Sequence, residues 1–168
     1  MIRVSRVLLV GVWLMALACH GAVAGDDEIL KVSGNIAKSN QPDKKSYVFS
    51  FAELSKLPTT VVHTGTTWTT VSDFTGPRMT EILKAVGARP NAKVIDVKTL
   101  DNYPVTIPIA DFSRWEVIMA HSQNGKRLTL DTKGPLWIVY PIDKYPSELD
   151  NNLTRTKFPW AVKEIVVN

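Results

Sequence analysis

Apolar residues alternate with polar ones in short bursts along this chain and seldom keep a helical spacing for long. Residues 29–36 read as a first strand, and Tyr47, Val48 and Phe49 as a second, shorter one. Ser50 followed three positions later by Glu53 makes a capping box, in which each side chain satisfies a backbone amide near the other. It predicts a short helix closed by Leu57 and Pro58. Residues 59–70 are dense in Thr and Val, whose branching at Cβ suits a pleated surface, so one or two strands belong there. Gly76-Pro77 predicts a turn. Beyond it Met79, Ile82, Leu83 and Val86 recur at helical spacing, with Gly87 placed to end the helix.

The second half continues in the same way. Residues 92–100 alternate, Asp101 and Asn102 supply turn residues, and residues 103–108 return as a partner strand, which together predict a hairpin. Residues 109–115 have room for one helical turn, and residues 117–120 form a buried-strand run. Asn124-Gly125 predicts a tight hairpin, because both residues tolerate the positive φ that such a turn requires. Residues 136–140 and 161–167 supply two more strands. Many short strands, two short helices and frequent Pro or Gly turns describe an α+β domain rich in β structure, a mixed sheet or barrel-like arrangement.

The first residues follow a different pattern. Arg3 and Arg6 precede an apolar run of 12 residues, 7–18, and then the small residues Ala22, Val23 and Ala24. That is the three-part layout of a secretory signal. A membrane-spanning helix needs about 20 apolar residues, so the run is short for a permanent anchor. Residues 1–24 are therefore expected to be a cleaved signal, and residues 25–168 a single domain that is periplasmic or secreted. Cys19 opens a second reading as a lipoprotein cysteine, but residues 16–18 place Ala and Leu in the reverse of the usual order. Cys19 is the chain's one cysteine. Cleavage after Ala24 would leave no thiol for a disulfide, a nucleophile or a metal ligand.

Charge changes the picture little. The formal net charge of +4 falls by two when Arg3 and Arg6 leave. No clustered basic stripe remains to bind nucleic acid.

Several loose motifs in a fixed order carry a family resemblance. They are residues 49–58 (Phe-Ser-Phe-Ala-Glu-Leu-Ser-Lys-Leu-Pro), Trp68, Phe74-Thr75-Gly76, residues 81–87, residues 124–128 and Gly134-Pro135-Leu136. In that order they resemble the molybdopterin-binding domain of the sulfite oxidase family. The resemblance covers nearly all of residues 25–168 and about the second half of the family's catalytic domain. It implies a mixed α+β fold with strands coiled around a pterin cleft. In that family a cysteine four residues before the Trp ligates molybdenum, and counting back from Trp68 places Thr64 there. An Arg follows the family's Gly-x-Pro segment where this chain has Trp137, and Tyr145 begins a stretch to Pro159 that differs from the family's phosphate-approaching loop. These departures imply no catalytic molybdenum centre, with molybdopterin the one cofactor the resemblance brings into question.

The expected ligand-contacting loop is His63, Thr64, Gly65, Thr66 and Trp68, which gathers an imidazole, hydroxyls, a small residue and an aromatic face. His121 could face the same cleft, and Trp137 stands with these candidates, although Trp115, Trp137 and Trp160 also read as core or cleft wall. His63, His121 and Asp101 could hold a metal only if the fold gathered them, since no spacing fixes them. Arg78, Arg114, Arg127 and Arg155 could bind an anion, a guanidinium being matched to phosphate or carboxylate, or they could be surface charges. No nucleophile elbow, zinc-binding His-Glu-x-x-His or phosphate loop is present. Three functions remain open: a non-catalytic module binding a small anionic ligand or an envelope protein, an oxo-transfer enzyme with an altered metal site, or an accessory subunit of an envelope complex.

Overall fold

The computed structural model describes residues 28–43 and 45–168. The expected signal segment and Cys19 lie outside the described residues. A five-stranded sheet is formed by β1 (Glu28–Gly34), β2 (Ser46–Ser50), β5 (Val94–Thr99), β6 (Pro104–Pro108) and β11 (Val162–Val167), in the order β2-β1-β11-β5-β6. Only the β1–β11 pair is parallel. The last strand thus inserts between the first and the β5–β6 hairpin, and the two ends of the domain share one ladder. Alternation explains which face is inward: Ile95, Val97 and Thr99 of β5 are buried, as are Val105 and Ile107 of β6.

A second sheet, ordered β3-β4-β8-β9, contains β3 (Thr59–Thr66), β4 (Thr69–Pro77), β8 (Ser122–Gln123) and β9 (Lys126–Arg127). The strands β7 (Ile118–Ala120) and β10 (Trp137–Val139) pair separately. Isolated bridges from Arg78 to Ile118 and from Trp137 to Trp160 join these pieces. The Thr/Val-rich stretch is thus a long hairpin turning at Thr67-Trp68. The turn expected at Gly76-Pro77 is instead the end of β4, because the backbone of β7 lies against it and keeps it extended.

Helices are short and locally specified. In α1 (Phe51–Ser55) the Ser50 hydroxyl accepts from the Glu53 amide and the Glu53 carboxylate accepts from the Ser50 amide, at 3.2 and 2.9 Å. In α2 (Met79–Ala85) Met79, Ile82 and Leu83 are buried, and Gly87 follows at φ +64. The segment α3 (Ile109–Trp115) is longer than one turn and buries Phe112. Two further helices, α4 (Pro146–Leu149) and α5 (Asn152–Arg155), lie in a stretch for which the sequence pattern predicts no element; each is only four residues, too short to show a periodic pattern. One apolar cluster extends from Ile29 to Val167 and includes Phe74, Met79, Phe112, Trp137 and Tyr140. Among the described residues no helix is long and apolar enough to cross a membrane.

Candidate functional site

The β3–β4 hairpin separates the sequence candidates by face. His63 and Thr64 are neighbours on one strand, so their side chains point oppositely. His63 is exposed, with Nδ1 2.7 Å from Asp73 Oδ1 on β4. Thr64 is fully buried. Its hydroxyl donates to Gly65 O at 3.2 Å and accepts from the Asp143 amide at 3.3 Å, while the Gly65 amide donates to Asp143 Oδ2 at 2.5 Å. Thr64 and Gly65 therefore fasten β3 to the turn Ile142–Lys144. Thr66 shapes the hairpin tip: its Oγ1 accepts from the amides of Trp68 and Thr69, both at 3.1 Å.

At the position where the resemblance expects a metal-ligating cysteine, then, stands a neutral hydroxyl hydrogen-bonded on both sides to backbone. This does not fit a molybdenum held by a protein thiolate, which needs a soft, anionic sulfur.

Beside this fastening lies an ion cluster that sequence reasoning missed. Glu116, in the left-handed region at φ 54, receives Arg78 Nη2 at 2.8 Å on one carboxylate oxygen and Lys144 Nζ on the other. The Lys144 hydrogen bond holds the Glu116 carboxyl below its ordinary range, helped by the charge of Arg78 and opposed by partial desolvation. The other arginines of the anion expectation are engaged separately. Arg114 lies over Trp115 at 4.4 Å, Arg127 lies over Phe51 at 3.8 Å, and Arg155 pairs with Asp150. The fold does not gather the four into one anion site.

His121 lies elsewhere, at the entry to β8. Its ring meets Phe51 edge-on at 5.4 Å, Nδ1 is 2.7 Å from Ser122 Oγ, and Nε2 is buried without a hydrogen-bond partner. Burial, followed by the Arg127 charge, pushes its pKa below the ordinary 6.5. The unfolded chain therefore binds the His121 proton first as pH falls, so stability declines once pH drops through the unfolded value of 6.5. We expect the melting temperature to fall between pH 7.5 and 5, and to fall less in His121→Gln. Parallel thermal melts at the two pH values check this; equal slopes in both proteins would refute it. The lowered carboxyls of Asp101 and Glu116 lose their contribution only at more acidic pH.

Trp137 is fully buried, with its ring 5.2 Å from Phe74 and 6.1 Å from Trp68. It supports Trp68 rather than facing solvent. Trp68 in turn is one wall of a cleft of about 380 Å³ between the hairpin tip, the β5–β6 turn and the segment after α5. Tyr103, Phe158 and Trp160 form the other apolar walls, with Asp101 and Arg155 among the polar ones. Of the expected ligand-contacting loop only Trp68 reaches this cleft, where Asp101 of the metal set and Arg155 of the anion set join it. Tyr103 drew no attention in the sequence, and Trp160 read as core or wall.

Asp101 is fixed at the rim by bonds that its Oδ1 accepts from the Thr99 hydroxyl and, at 3.3 Å, from the Tyr103 amide. The Thr99 bond is the main cause that lowers its carboxyl pKa.

Comparison with known proteins gives two findings. The family model described as "Oxidoreductase molybdopterin binding domain" matches residues 38–143. Among solved structures, the chain is similar to the sulfane dehydrogenase SoxCD from Paracoccus pantotrophus, with a TM-score of 0.62 and 17% sequence identity over 84% of this chain. The match covers 38% of that chain, so the protein spans well under half of its structural relative. At this identity the likeness speaks to the fold, and it agrees with the mixed, sheet-rich α+β architecture. No curated protein gives a significant sequence match.

Proposed function

The chain belongs to the oxidoreductase molybdopterin binding domain family, and on that premise we propose that it is an exported, non-catalytic member that works as a binding module for a small ligand or an envelope partner. The observation that carries this reading is Thr64. The family resemblance puts it at the metal-ligating position of the motif, and its hydroxyl is committed to joining β3 to the turn at Asp143. A residue tied into the fold in this way serves packing, and no described residue offers a thiolate. Export is supported by the signal-like layout of residues 1–24.

Metal analysis and pterin fluorescence of the protein purified from its own envelope fraction test the reading. The expected result is molybdenum and pterin far below one per chain, with no turnover of sulfite or of a sulfoxide. Thr64→Ala should then cost about 1 kcal/mol of stability, from the Asp143 amide left without its partner, and nothing else. One molybdenum and one pterin per chain, with oxo transfer abolished in Thr64→Ala, would overturn the reading and favour an enzyme.

A further inference from the structure

Single aromatic side chains at a protein surface are ordinary, but several converging on one concavity mark a binding site. Trp68 is 46% exposed and Tyr103 58% exposed, each at the turn of a separate hairpin, and both line the cleft that Trp160 and Phe158 close. The ammonium of Lys133 lies 5.1 Å from the Trp160 ring centre and 5.8 Å from that of Trp68.

The polar groups at the rim are of both kinds. Asp101 uses Oδ1 for its own turn, which leaves Oδ2 to accept. Arg155 spends one Nη on Asp150, which leaves further N–H groups to donate. Charges offset: Asp101 feels the positive charge of Lys163, and Arg155 is paired with Asp150.

That arrangement discriminates among ligand chemistries. A quaternary ammonium seeks aromatic faces, but Lys133 already lies against both indoles and repels a second cation. An aromatic anion would stack as well, yet it would meet the Asp101 carboxylate. A neutral pyranose satisfies every group. Its C–H face lies flat on an aromatic ring, and its hydroxyls donate to Asp101 and accept from Arg155. Sugars with all-equatorial substituents present the flattest such face.

We propose that the cleft bounded by Trp68, Tyr103 and Trp160 binds a neutral glycan, with a pyranose ring of a β-1,4-linked, all-equatorial chain stacked on these aromatics and hydrogen-bonded to Asp101 and Arg155. The inference rests on the reading of the chain as a binding module, for which it supplies the ligand class.

The test is titration of the purified full chain with tri-N-acetylchitotriose and with cellotriose, followed by tryptophan fluorescence and by amide spectra. At least one of the two should saturate with a Kd on the order of 1 mM or tighter. Trp68→Ala and Tyr103→Ala should each weaken it about tenfold, and Tyr103→Ala, at the more exposed position, should leave the melting temperature nearly unchanged. The proposal is overturned if neither trisaccharide saturates, if both variants bind as the unmodified protein does, or if betaine or benzoate binds in the cleft and excludes the sugars. Failure of glycan binding in protein free of molybdenum and pterin sinks this proposal alone. Stoichiometric metal and pterin would sink the module reading itself.

Discussion

Gly76→Ala should unfold the protein or remove about 3 kcal/mol or more of its stability. A Cβ at this position would lie 1.9 Å from Met119 O, 2.7 Å from Met119 C and 2.8 Å from the Ala120 Cα. All three are backbone atoms of β7, so no flexible side chain can swing aside. Nor can the strands separate cheaply, because they are fastened on both sides of the contact. The His121 amide donates to Thr75 O at 2.9 Å, and the Met79 amide donates to Val117 O at 2.9 Å. Relief would require breaking these bonds around a core in which Phe74, Ile118 and Met119 are fully buried. Against a total stability of about 5–15 kcal/mol such a loss is decisive. Gly125→Ala is the contrast: its φ of +75 disfavours a side chain, but nothing lies within 4 Å of the added carbon. It should cost only about 1 kcal/mol. Urea unfolding of the two variants beside the unmodified protein reads the difference; comparable midpoints for both variants would refute the argument.

The same glycine shows where sequence reasoning reaches its limit. Gly76-Pro77 has the local chemistry of a turn, yet the residues that decide its conformation are Met119 and Ala120, far along the chain. Where the deciding contacts are local, the sequence was legible. The Ser50–Glu53 box, the helix ending before Gly87 and the hairpin at Asn124-Gly125, with φ of 49 and 75, each depend on neighbours within a few positions. The parallel β1–β11 pair left no such signal, because its register is set by the two ends of the domain meeting. The candidate site divides in the same way. Counting motif spacing from Trp68 identified Thr64, but whether its hydroxyl was available depended on Asp143, which only the fold brings to it. The aromatic cleft was least legible of all: Trp68, Tyr103 and Trp160 lie on three separate segments, and a concavity has no sequence period. The arginines failed for the converse reason. They looked like a set by residue type, and each is held by its own neighbour, Glu116, Trp115, Phe51 or Asp150.

Trp137→Ala should cost about 3–5 kcal/mol. The side chain is fully buried, and the fold surrounds it with Phe74 at 5.2 Å and Trp68 at 6.1 Å, so truncation leaves a void that strands of two sheets cannot close together. Its Nε1 donates to Phe158 O at 3.2 Å, and the loss of that donor leaves a carbonyl without its partner. Trp137→Phe separates the two contributions, since it keeps most of the ring contact and removes the hydrogen bond; its cost should be about half that of the alanine variant or less. The two variants also divide stability from binding. Trp68 and Phe158 line the cleft, and Trp137 touches one by its ring and the other through its indole N–H. Trp137→Phe should therefore fold and melt cooperatively while ligand titration reports a loosened wall, with affinity reduced further than in a core substitution remote from the cleft, such as Leu54→Val. Leu54 is fully buried and belongs to α1, which makes it a fair control for lost packing alone. If Trp137→Phe and Leu54→Val, compared at equal loss of stability, bind alike, then Trp137 is core and nothing more, and the cleft owes its shape to Tyr103 and Trp160 without support from beneath.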